Sequence, residues 1–247
     1  ELLENAGVVV ASILAFSPKS LQAFVKAQGI ALVVRCLKDR VYAGAVTLKW
    51  LDFAPANSND RMYRQACEHM VEAGALKYIF PIFQNKHLPK ALSDDRKELQ
   101  TDLESTVVRI LYSLIRHLRR DSPHDAQHRV IVKLSEKIPR LVELLIKYDA
   151  KARLAEFEFY KNDEDADELA VLQAKLEDGG EILHRLAAIA AACCTHSKQF
   201  HESLFEELKS RESGMGLVIS ALQEFISVLD DESEQKQQLD SYLRQIS

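Results

Sequence analysis

The chain has 247 residues, with 32 Lys+Arg against 37 Asp+Glu and a formal net charge of −5. Hydrophobic residues make up 47% and charged residues 28%, which is globular composition and excludes a disordered chain. Eight glycines and six prolines fall well below the roughly 12% expected of the pair, so turns are few and a β fold has little room. No apolar run reaches the roughly 18–20 residues of a membrane span, and no membrane partner is expected. Four cysteines, Cys36, Cys67, Cys193 and Cys194, make no disulfide framework for this length and point to a reducing compartment, cytosol or nucleus. The chain opens on Glu1, which reads as a fragment or trimmed product whose targeting signals lie out of view.

In chain order, Leu2–Phe16 predicts an apolar helix halted at Ser17-Pro18, where Ser17 or Ser20 is placed to cap the next one. A helical pattern then occurs three times, as QGIALVVRCL at 28–37, AGALKYIFPIF at 73–83 and KIPRLVELL at 137–145. Superimposing Ile30, Leu76 and Ile138 brings the apolar residues into register at i, i+3, i+4 and i+7, one face of an α-helix. A second amphipathic helix is expected after each copy: about 41–54, stopped by Pro55; 98–120, with a stripe from Leu99 to Leu118; and about 181–194, opened by Gly179-Gly180. Residues 215–229 supply a closing helix, and 230–247 a charged C-terminal helix or tail. The spacing of the copies, about 46 residues and then one period plus an insertion, lies in the armadillo/HEAT range. The expected fold is therefore all-α, an armadillo/HEAT-type right-handed superhelical solenoid over residues 1–229, with insertions near 84–97 and 150–178.

The stretches FVKAQGIALVVRCLKDR, AVTLKWLDFA, LKYIFPIF and VVRILYSLIRHLR resemble the C-terminal half of the β-catenin-like protein 1 family, from ELLEN at the first helix to EQKQQLDSYLRQI at the close. The resemblance implies a nuclear armadillo-type protein associated with the spliceosome through the NineTeen complex. By that likeness the chain is a scaffold for pre-mRNA splicing. Its expected partners are NineTeen-complex splicing factors, held through nuclear-localisation-type segments. The acidic insertion at 156–168 is composed differently from the family pattern.

No catalytic motif or cofactor loop is present: no GxGxxG, phosphate loop or GxSxG. Cys193, Cys194, His196 and His201 suggest zinc by residue type, but adjacent cysteines point about 100° apart on a helix and read better as core thiols. His117, His124 and His128 read as solvated histidines at a helix end and in a polar loop rather than an acid–base site. The basic stretch 109–140 offers phosphate contacts through Arg109, Arg116, Arg119, Arg120, Arg129, Lys133 and Arg140, with only Tyr112 nearby for stacking. Residues 156–168 hold seven acids against Lys161, a solvated loop or a lure for basic segments. The last helix of each repeat lines a solenoid groove, so the candidate partner-binding residues are Lys49, Asp52, Ser105, Arg109, Tyr112 and Arg116. Alongside the splicing scaffold, two alternatives stand: an adaptor outside splicing, and an RNA-binding solenoid using 109–140.

Overall fold

In the computed structural model, residues 2–39, 44–52, 61–86, 96–162 and 167–247 are described. Helix α1 (Leu2–Phe16) ends at Ser17, and α2 (Pro18–Lys26) begins one residue later. The Ser17 hydroxyl accepts from the Ser20 amide at 3.2 Å, while Pro18 sits where its missing N–H costs nothing. After α2 the chain turns through Gln28 with φ at 59° and enters α3 (Gly29–Asp39). Gly29 is needed for contact: a Cβ there would lie 2.3 Å from the Phe24 ring. Next come α4 (Gly44–Lys49), α5 (Arg61–Glu72), α6 (Leu76–Phe83) and α7 (Arg96–His117). A 3-10 turn (Pro123–Asp125) leads into α8 (Ala126–Ser135).

Beyond it lie α9 (Ile138–Asn162), α10 (Glu168–Lys175), α11 (Glu181–His196), α12 (Lys198–Ser210), α13 (Met215–Ser227) and α14 (Glu234–Ile246). No strand occurs among the described residues. The chain divides into two compact units, 1–133 and 134–247.

In the first unit, α1 packs on α2 and α4, α2 and α3 pack on α5, and α4, α5 and α6 all pack on α7. Two three-helix sets result, α2–α4 and α5–α7. In the second unit, α11 is surrounded by α9, α12, α13 and α14. Its Ala-rich run explains that position. From Ile182 to Cys194 only Arg185 escapes full burial, and a helix apolar on all sides belongs inside, where small side chains admit close neighbours.

The repeat register is met residue by residue. Ile30, Val33, Val34 and Leu37 on α3, Leu76, Ile79, Phe80 and Phe83 on α6, and Ile138, Leu141, Val142 and Leu145 on α9 are all buried. Several boundaries differ from expectation. The helix expected at 41–54 is helical only over Gly44–Lys49, with 41–43 and 53–54 outside the described residues. Most of the 84–97 loop also lies outside them, and Arg96 and Lys97 already belong to α7. The third copy does not stop near residue 150: α9 runs unbroken to Asn162. The closing segment is a helix whose Leu239 is buried, with α14 seated on α11 and α13.

Candidate functional site

Helix α7 presents its candidate residues on one narrow strip. Along 103–118 nearly every position is buried, and only Ser105, Arg109 and Arg116 are half-exposed. Lys49 and Asp52, at the end of α4 and in the turn after it, face this strip. Lys49 Nζ lies 2.8 Å from Asp102 Oδ2, and Arg109 Nε donates to Asp52 Oδ2 at 2.6 Å. Arg109 Nη2 also reaches Thr106 Oγ1 at 3.3 Å, and Ser105 Oγ donates to the Asp102 carbonyl at 2.9 Å. The four charges therefore form two ion pairs that tie α4 to α7. Sequence spacing picked out Lys49, Asp52 and Arg109 but passed over Asp102, the i−3 neighbour of Ser105.

Tyr112 departs from the strip. It is 5% exposed, because core positions surround it on a helix packed from three sides. Thr47 of α4, polar by type, is likewise buried. The strip is a half-buried, mixed-charge seam whose Lys49, Asp102, Asp52 and Arg109 charges pair with one another.

The basic stretch breaks into differently used residues. Arg109 is held by Asp52, and Arg140, on α9 in the second unit, is paired to Glu143 at 2.5 Å. Arg119, Arg120, Arg129 and Lys133 are exposed in the first unit. Of the acidic block, residues 156–162 lie on α9 and Asp167-Glu168 open α10, while 163–166 lie outside the described residues. The described part is thus helical rather than a loop. It carries exposed Phe157 and Tyr160 beside its acids.

His117 corrects a second expectation. It is 4% exposed, stacks on Tyr63 with ring centroids 6.1 Å apart, and its Nε2 has no partner among the described residues. Burial, assisted by the charges of Arg116 and Arg119, lowers its pKa to about 4, so it is neutral near pH 7. His124 and His128 are exposed as expected.

Burial pushes the thiol of Cys194 up to about 12 and raises those of Cys67 and Cys193 strongly. These are protonated core groups, not nucleophiles. Among the described residues, no group of three or more His, Cys, Asp or Glu is placed to hold a metal ion.

Sequence reading missed one polar cluster in the second unit. Glu224 of α13 accepts from Lys175 Nζ at 2.6 Å and bonds His184 Nε2 at 3.2 Å. Lys175 also lies 3.6 Å from Glu156, and His184 stacks on Phe225 at 5.2 Å. The His184 and Lys175 bonds hold the Glu224 carboxyl down at about 2, against the pull of burial. Its members come from four helices at wide separation, so no local motif marks them.

The comparisons with known proteins agree with this all-helical frame. The sequence profile described as "Catenin-beta-like, Arm-motif containing nuclear" matches residues 1–223. The chain is 27% identical over 259 aligned residues to beta-catenin-like protein 1 of Homo sapiens, and equally so to those of Mus musculus and Rattus norvegicus. Each alignment covers 96% of this chain and 44% of the relative, so the chain spans less than half the length of those relatives.

Proposed function

The chain belongs to the catenin-beta-like, Arm-motif containing nuclear family, and from that premise we propose that it works in the nucleus as a non-enzymatic interaction scaffold. In this reading it is an accessory factor of pre-mRNA splicing that binds peptide segments of NineTeen-complex proteins. The observation that carries the reading is the armadillo-type match across residues 1–223. Support comes from the seam between α4 and α7, where half-buried charges of both signs offer recognition chemistry without a nucleophile or base poised beside them.

The test is affinity capture from nuclear extract with the tagged 247-residue chain, read by mass spectrometry. Enrichment of NineTeen-complex proteins over a matched unrelated armadillo protein is expected. Reproducible capture of other proteins with no splicing factor among them would instead favour an adaptor outside splicing. A second reading, RNA binding, is favoured by the exposure of Arg119, Arg120, Arg129 and Lys133. The burial of Tyr112 weighs against it, since the ring offers no open face for base stacking.

A further inference from the structure

The turn that follows α7 reads Arg119-Arg120-Asp121-Ser122-Pro123-His124-Asp125. Six of these seven residues are exposed, while Ser122 is only 5% exposed. Its hydroxyl is used twice. It donates to Glu68 Oε1 of α5 at 2.9 Å and accepts the Arg119 amide at 3.0 Å. Gln127 closes the same corner by donating to the Leu118 carbonyl at 2.9 Å. Immediately beyond, His124 and Asp125 stand at φ of 55° and 51°, two successive non-glycine residues in the left-handed region. The side-chain bonds therefore hold down a turn whose backbone is strained.

We propose that Ser122 is a phosphorylation site latched shut in this conformation, for serine kinases that select arginine two or three residues upstream and proline directly downstream. The selecting residues, Arg119, Arg120 and Pro123, are displayed while the acceptor hydroxyl is tucked against α5. A kinase cleft takes its substrate as extended chain, so the turn must first open, releasing Glu68 and the strain at His124 and Asp125. In the transfer, Ser122 Oγ attacks the γ-phosphorus of ATP and an O–P bond forms. The bond from that phosphorus to the β,γ-bridging oxygen breaks, ADP leaves, and the hydroxyl proton passes to the kinase's carboxylate base. Afterwards the ester oxygen has no proton to donate, and a group of about −2 charge cannot return to a position 2.9 Å from the Glu68 carboxylate. Modification thus keeps the corner open and leaves the Arg119 amide, two residues past the end of α7, without its Ser122 partner.

The experiment treats the 247-residue protein with Mg-ATP and an arginine- and proline-directed serine kinase, with peptide 116–127 as substrate control and phosphate located by mass spectrometry. Expected are ready phosphorylation of the peptide at Ser122, slow phosphorylation of the intact protein, and a rate about tenfold higher in Glu68→Ala, which lacks the latch acceptor. Gln127→Ala, which loosens the corner from its other side, should accelerate in the same direction and serves if Glu68→Ala fails to fold. The phosphorylated protein should also exchange the amides of residues 114–122 faster than the unmodified one. An unmodified peptide would overturn the recognition. A modified peptide with no phosphate on the protein or either variant, or a protein modified as fast as the peptide, would overturn the latch.

Discussion

Single side chains show most directly what holds the protein. Phe80 of α6 is buried and meets Phe83 edge-on with centroids 6.2 Å apart. Phe80→Ala should cost about 3–5 kcal/mol in chemical denaturation. A loss under about 1 kcal/mol would show that the repeat register does not define the core there.

His117 makes a prediction of opposite kind, because its burial is a liability in acid. Unfolded, it takes up a proton near its ordinary pKa of 6.5, whereas folded it resists protonation until about 4. Between those values the unfolded state binds more protons, so stability falls as pH drops from 6.5 towards 4, by about 3 kcal/mol in total. His117→Phe should flatten the urea-midpoint profile across that window. Glu224 acts lower on the scale. With its pKa held at about 2 against an ordinary 4.5, it contributes stability above 4.5 that is lost as pH falls through 2. Glu224→Gln should remove that lower limb and leave the His117 limb in place.

At the scale of elements, apolar periodicity marked the helices whose buried face is a continuous stripe, and lost those where it is not. Residues 28–37, 73–83 and 137–145 announce themselves because four apolar positions recur at one helical spacing. Helices α5, α8 and α12 escaped the reading because charged and polar residues outnumber the apolar ones that anchor them. In α12 the buried face rests on Phe200, Leu204 and Leu208 alone. The acidic composition of 156–168 suggested a loop, yet 156–162 continues α9: only Glu156 and Glu158 of the seven acids fall there, and Glu is a good helix former. Likewise Gly179-Gly180 was legible as a helix opener, and Gly179 stands at φ 112° with its missing Cβ space 2.8 Å from the Tyr148 ring. Gly179→Ala should therefore destabilise by more than about 1 kcal/mol, from strain and collision together.

The candidate seam was only half legible. Spacing found the residues on α7, but their pairing with α4 depends on how the two helices meet, which no local pattern states. A double-mutant cycle on Asp52→Asn and Arg109→Gln should give a coupling of about 1 kcal/mol, since both side chains are partly shielded from solvent. A coupling indistinguishable from zero would mean that this pair adds nothing to the joining of α4 and α7.

For the whole molecule, the question is which surface carries binding, and the ion pairs decide how to ask it. Reversing Arg109 would break its bond to Asp52 and confuse a binding effect with a loosened α4–α7 contact. Arg120 and Arg129 are exposed, lie in the first unit and have no ion pair among the described residues, so their reversal leaves the core alone. If RNA binds through this face, Arg120→Glu with Arg129→Glu should weaken it uniformly across sequences and shallow the slope of log affinity against log salt by about 2. If the chain acts through peptide capture at the α4–α7 seam, the double variant should retain its captured proteins. Ser105→Glu, at a half-exposed seam position bonded within its own helix and outside both α4–α7 ion pairs, should then reduce capture under the same conditions with helicity retained by circular dichroism. Retained capture in both variants would remove the seam as the binding surface and turn attention to exposed Phe157 and Tyr160 on α9, where aromatic anchors stand beside acidic side chains.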